Sequence, residues 1–173
     1  MKKRLGLIQM DVHVNDVEYN YNRVQELLTQ ALAECPDIIV LPETWNTGFH
    51  PSKDLINISD RNGERTKALL SAFSKEHNVN IVGGSVAVAK EDLIFNTSYA
   101  YNREGTLVGE YSKMHGFSPA KENQYFASGT HTTHFELDGI PCSTVICYDI
   151  RFPELVRMAA LSNTELLFVP AQW

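Results

Sequence analysis

The sequence predicts an α/β domain, and three observations carry that reading. Stretches with apolar residues at helical spacing alternate with short apolar runs. Two of those runs, 37–41 (DIIVL) and 165–169 (ELLFV), are apolar almost throughout, as in strands buried on both faces. Between residues 80 and 112, three β-rich runs are separated only by turn-length gaps, which inserts antiparallel hairpins into the alternation.

Taken in order, 4–10 (RLGLIQM) reads as a first strand. Asn15-Asp-Val-Glu18 has the form of a helix start, with Asn15 as the cap three residues ahead of a Glu. Val17, Tyr21, Val24, Leu28 and Ala31 then recur at helical spacing, so a helix is expected over 16–34, stopped by Pro36. The strand 37–41 ends at Pro42-Glu43, and a loop with Gly48 and Pro51 follows. A second helix is expected over 63–77, with Leu69, Leu70, Phe73 and His77 on one side. The runs 80–89, 93–101 and 106–112 should pair as antiparallel neighbours, with Gly83-Gly84 inside the first of them serving close packing.

The stretch 113–130 is long and polar, and a loop of that length inside a compact domain is usually functional. Another strand, 132–137, turns at Asp138-Gly139 into 141–147. Pro153 sits where a helix begins, its missing N–H costing nothing in the first turn. The run 165–169 is a last buried strand, halted by Pro170.

At 173 residues the chain fits one domain, 1–173, able to bury about two-thirds of its unfolded surface. A net charge of −6 argues against nucleic-acid or anionic-membrane partners, which need clustered Lys and Arg. Lys2-Lys3-Arg4 is followed by too few apolar residues before Asp11 for a membrane span or a signal-peptide core. Three cysteines without CxxC spacing give no disulfide framework and make a cytoplasmic location the expectation. His131-Thr-Thr-His134 does not set four ligands converging, and no GxGxxG or P-loop is present, so no metal or cofactor is expected.

Three of the strands stop at residues able to do acyl transfer: Glu43 after DIIVLP, Lys113 after TLVGEYS, and Cys147 after STVI. Cys147 precedes the helix led by Pro153, so its thiol is presented at a strand-to-helix bend, as in a nucleophile elbow. The backbone N–H groups that follow, beginning with Tyr148, can hold an oxyanion. Taken alone, Cys147 reads equally as a buried structural cysteine, and Glu43 and Lys113 as charges leaving a sheet for solvent. Glu43, flanked by an apolar strand and Trp45, is expected to be desolvated and a better base for it. Lys113 is expected to lower the thiol pKa. Cys35 and Cys142, without polar company, are structural; Arg151 and Asp149 are expected to form a structural pair, with capture of a substrate carboxylate by Arg151 as the other reading.

The set Pro42-Glu43-Thr-Trp45, Lys113-Met-His115 and Cys147-Tyr-Asp149-Ile-Arg151-Phe-Pro-Glu154 resembles the nitrilase, or carbon–nitrogen hydrolase, superfamily. The resemblance runs from the first strand to Pro170-Ala-Gln-Trp173. It implies a nitrilase-like α-β-β-α sandwich in which Cys147 attacks an amide carbonyl, Glu43 is general base and Lys113 steadies the tetrahedral intermediate. It also implies a supporting second glutamate, matched here by Glu122, with Tyr148 and Trp173 on the substrate and oxyanion side. The motifs are most similar to the omega-amidase-like branch, implying small ω-amides such as α-ketoglutaramate as partners, with release of ammonia. Nitrile or N-carbamoyl hydrolysis belongs to the same superfamily. A truncated remnant with only a structural or interaction role is the alternative of a different class.

Members of that superfamily run on well past the position matched by Trp173. This chain is accordingly expected to hold the N-terminal two-thirds of the family fold and to be incomplete at its C-terminus. The run ELLFV carries no edge-blocking charge after Glu165, so a homo-oligomer with low turnover is expected of it.

Overall fold

A computed structural model describes residues 2–50 and 52–172; the expected role of Trp173 lies outside the described residues. The first strand, β1 (Leu5–Leu7), is shorter than the apolar pattern suggests. Helix α1 (Val17–Ala31) begins one residue later than the cap pattern implied. Asn15 adopts a left-handed φ of 61°; Asp16 is the cap instead, its carboxylate accepting the Tyr19 N–H at 3.1 Å. The helix buries Tyr21, Val24 and Leu28, the face that the spacing marked out, and passes into a 3-10 turn, Leu32–Glu34.

Strand β2 (Ile38–Val40) follows. A single helical turn α2 (Leu55–Ile58) and a two-residue strand β3 (Asp60–Arg61) occupy a stretch expected to be loop. Both are too short to leave a periodic signal in the sequence. Helix α3 (Glu64–His77) is followed by β4 (Asn80–Val82), β5 (Val86–Lys90), β6 (Leu93–Tyr101) and β7 (Leu107–Ser112). The run 80–89, expected as one strand, is thus broken at Gly83-Gly84. Gly84 has φ +61°, and a Cβ there would sit 2.0 Å from the Pro42 carbonyl oxygen. These glycines do serve close packing, but as a break that lets one chain segment pass over another.

The remaining elements are β8 (His134–Leu137), β9 (Ile140–Thr144), α4 (Pro153–Leu161) and β10 (Leu166–Phe168). One sheet runs β1-β2-β4-β6-β5-β3, with β4 and β5 along one side of β6 and β7 also paired to β6. Pairing is parallel from β1 through β4 and antiparallel among β4, β5, β6 and β7. The second sheet is β10-β9-β8, with β9 antiparallel to β8 and parallel to β10.

Alternation along the strands builds the layers. Ile39, Leu41 and Ile81 join Tyr21, Val24, Leu28, Leu70 and Phe73 in a core between the first sheet and helices α1 and α3. Ile38, Val40 and Val82 point the other way, into a core with Phe135, Leu137, Cys142 and Phe168 of the second sheet. Strand β2 is therefore apolar throughout because it has a core on each side. Cys142 is buried there and takes no part in the polar cluster described below.

Candidate active site

Each chemistry-bearing residue sits just beyond a strand and is fixed by backbone bonds to its neighbours. After β2, Leu41 N–H donates to Val82 O (3.0 Å), and Pro42 O accepts from Ser85 N–H (3.0 Å). Thr44 N–H donates to Ser85 Oγ (3.0 Å) and the Trp45 indole N–H to Gly83 O (2.9 Å). Glu43, between them, is fully buried. Beyond β7, Lys113 N–H donates to Asn96 O (2.8 Å) and Lys113 O accepts from Gly129 N–H (2.8 Å). Gly129 is needed at that crossing: a Cβ would stand 2.0 Å from Ser112 O.

Cys147 follows β9. Its N–H donates to Pro170 O (2.9 Å). Its φ of +46° lies in the left-handed region that few side chains adopt. The chain then turns through the 3-10 segment Cys147–Arg151 into α4, which has Pro153 in its first turn. A strained cysteine at a strand-to-helix bend is the geometry of a nucleophile elbow. Among the described residues the Tyr148 N–H has no backbone acceptor, while those of Cys147 and Asp149 on either side are bonded.

The side chains converge. Lys113 Nζ donates to Glu43 Oε1 at 2.8 Å and to Glu122 Oε2 and Oε1 at 2.8 and 3.0 Å. Glu122, in the 3-10 turn Glu122–Gln124, is fully buried and also accepts the Phe117 N–H at 2.7 Å. Gln172 N–H donates to Glu43 Oε2 at 3.0 Å. The Cys147 thiol lies close enough to Glu43 and Lys113 to feel both charges. The Gln172 side chain straps the site, its Oε1 accepting from Thr44 Oγ1 and Phe49 N–H, each at 3.1 Å.

Burial works against the charge of Lys113, but Glu43 and Glu122 outweigh it and hold the ammonium above its ordinary pKa. The thiol moves opposite to the expectation from Lys113. Burial, then the charge and hydrogen bond of Glu43, push Cys147 up to about 12. Lys113 does pull it down, and loses. The resting thiol is therefore neutral and needs a base to give up its proton.

The expected Arg151–Asp149 pair does not form. Asp149 is fully buried; its Oδ2 accepts from Tyr111 OH (2.7 Å) and Ile146 N–H (3.0 Å), and its Oδ1 from His115 N–H (2.9 Å) and His115 Nδ1 (2.8 Å). Arg151 is exposed. Asp149 was already satisfied by three nearby segments, which left the guanidinium free to stay hydrated.

Sequence reasoning also missed Asn96, Gln172 and Tyr111. Asn96 left a trace, being a polar residue within the otherwise buried run of β6. The other two act through contacts far apart in the chain. Among the described residues no three His, Cys, Asp or Glu side chains are placed to hold a metal. A cavity of about 510 Å³ lined by Lys90, Phe95, Glu110, Ser112 and His131 contains none of the converging groups, so chemistry rather than concavity marks this site.

A buried carboxylate and ammonium with a half-buried thiol, at the strand ends of a two-sheet α/β sandwich, define a class of thiol-bearing sandwich proteins. The chain belongs to the carbon–nitrogen hydrolase family, whose sequence profile matches residues 4–173. It is 36% identical, over its whole length, to the 2-oxoglutaramate amidase of Bacillus subtilis, covering 66% of that protein. It is 29% identical over 98% of its length to the chloroplastic omega-amidase of Arabidopsis thaliana, covering 48% of that one. A carbon–nitrogen hydrolase superfamily protein of Xanthomonas campestris, solved with an arsenic adduct in its active site, superposes with a TM-score of 0.84 at 26% identity. That superposition covers 99% of this chain and 65% of the other. The chain thus spans between about half and two thirds of the length of these relatives, and its fold is that of solved carbon–nitrogen hydrolases.

Proposed function

We propose that the protein hydrolyses the C–N bond of a small ω-amide through a thioester on Cys147. The observation that carries this reading is the buried Glu43–Lys113 ion pair at 2.8 Å, whose charges act on the thiol of Cys147 at a left-handed elbow. As sulfur bonds to the amide carbon, the thiol proton passes to Glu43. The carbonyl oxygen becomes an oxyanion facing Tyr148 N–H and the Lys113 charge. Glu43 returns the proton to nitrogen, the C–N bond breaks, and ammonia leaves with the acyl group on sulfur. Glu43 then takes a proton from water as it attacks the thioester and passes it to sulfur as the C–S bond breaks, which releases the acid product and restores the free thiol and the Glu43 carboxylate. Glu122 holds Lys113 in place through two contacts with its ammonium, at 2.8 and 3.0 Å.

The names of the relatives support an α-keto acid amide over a nitrile or N-carbamoyl compound. No helix among the described residues is long and apolar enough to cross a membrane. The free thiols favour the cytoplasm as compartment, and exposed Leu7, Met158 and Leu161 favour a homo-oligomer. The test is ammonia release from 2-oxoglutaramate, measured beside the matching nitrile and N-carbamoyl compound. The amide should be turned over at least tenfold faster than either. Faster release from the nitrile, or equal release by a Cys147→Ala variant, would overturn the proposal.

A further inference from the structure

Asn96 stands in the middle of β6 with 1% of its surface exposed. Its backbone oxygen fixes Lys113 through the Lys113 N–H (2.8 Å). Its side-chain Nδ2 donates to both carboxylates, to Glu43 Oε1 at 3.0 Å and to Glu122 Oε1 at 3.2 Å. Its Oδ1 is buried without a hydrogen-bond partner among the described residues. An orphaned amide oxygen is a cost that an apolar residue of the same shape would avoid. What Asn96 offers in exchange is two N–H donors carrying no charge.

The charges around it explain why that matters. Glu43 approaches from the end of β2, Glu122 from its 3-10 turn, Lys113 from the end of β7 and the Cys147 thiol from the elbow. The Asp149–His115 pair lies beyond, tied to the elbow. Two buried carboxylates share one ammonium. Without further donors, like charge would drive one of them to take up a proton. A second lysine would neutralise the base; aspartate would add a third negative charge. Asparagine stabilises both carboxylates as anions and leaves the charge count alone. It also occupies Glu43 Oε1 together with Lys113, while Gln172 N–H donates to Oε2. The carboxylate is thereby held at both oxygens.

We propose that Asn96 is a positioning residue that keeps Glu43 and Glu122 both ionised on a single lysine and fixes the orientation of the Glu43 carboxylate. The proposal rests on the hydrolase reading above for its catalytic half, and its electrostatic half can be judged without substrate. The variant is Asn96→Leu, close in size and without donors. Its native state should hold about one proton that the unfolded chain, with ordinary carboxylates near pH 4.3, has released. A carboxylate pKa raised in the fold makes stability fall as pH rises through that value. The loss of stability relative to wild type should therefore be smaller at pH 5 than at pH 8, read from urea unfolding at both.

In the substrate arm, the acid limb of the kcat/KM profile should move up by about one pH unit, a tenfold loss near the limb, with KM little changed. A loss of stability equal at pH 5 and 8, with an acid limb that does not move, overturns the proposal, since looser packing alone would do that. If the variant is unfolded at pH 8, the proposal requires it to fold at pH 5; failure at both also overturns it. Absence of turnover by the wild type would count against the hydrolase reading, while the unfolding data still judge Asn96.

Discussion

Replacing Lys113 by methionine costs about 3–5 kcal/mol of stability at pH 7, the range for removing one partner of a buried ion pair, and at least about a hundredfold in kcat/KM. Methionine fills nearly the same volume and can rest against the Phe49 ring, which lies 5.5 Å from Nζ. What disappears is the charge that Glu43 and Glu122 both contact at 2.8 Å. Two buried carboxylates then face each other, held by the Asn96 amide and by backbone N–H groups. The pH dependence follows from the raised pKa of Lys113. A cation favoured by the fold contributes fully below the unfolded lysine pKa of about 10.4 and loses that contribution as pH rises through the higher folded value. The deficit of the variant should hold through neutral pH and shrink above pH 10. It should also shrink toward pH 5, where the stranded carboxylates can share a proton. Urea unfolding at pH 5, 7 and 11 measures this; a deficit under 1 kcal/mol at pH 7 would contradict it.

Asp149→Leu is expected to cost about as much, 3–5 kcal/mol or roughly the sum of two or three buried donors left unmet, although Asp149 touches none of Glu43, Lys113 or Cys147 in the hydrogen bonds described. Tyr111 OH, Ile146 N–H and both His115 donors would lose their acceptor together. Burial raises the Tyr111 phenol pKa and Asp149 adds to it, so the hydroxyl stays a donor with nowhere else to turn. These bonds tie the residue before Cys147 to the segment two residues past Lys113. Losing them should let the elbow drift, which lowers kcat more than it raises KM. Asp149→Asn should be intermediate: one amide oxygen can accept on one side, while its NH₂ meets donors on the other. Unfolding midpoints and steady-state kinetics on both variants check this. An Asn variant matching wild type in both would contradict the role given to Asp149.

The strands and long helices were legible because their signals are local. DIIVL has a core on each face, and Tyr21, Val24 and Leu28 fall on one side of α1 by spacing alone. Glu43, Lys113 and Cys147 stood out because each ends an apolar run, and the structure bonds Glu43 to Lys113 and puts the Cys147 thiol within reach of both charges. What the chain order hides is competition between distant partners. Asp149 could be read as a partner of nearby Arg151, but Tyr111 and His115 reach it through the fold. The thiol pKa could be read from Lys113, but Glu43 and burial dominate once the site closes. Gly83-Gly84 signalled close approach, while the identity of the approaching segment, Leu41–Pro42, depended on sheet order.

The most direct test of the central claim is the intact mass of the wild type and of a Glu43→Gln variant, each mixed with 2-oxoglutaramate. Glu43 takes the thiol proton as well as activating water, so this variant should stay unmodified, while the wild type quenched in acid during turnover should carry the acyl group, mapping by peptide mass to Cys147. Cys147→Ala should carry none. The three thiols differ enough to make the result decisive: Cys35 is exposed and remote, and burial pushes Cys142 up to about 11 within the core. An adduct on Cys35 or Cys142, or turnover that persists in Cys147→Ala, would contradict the mechanism.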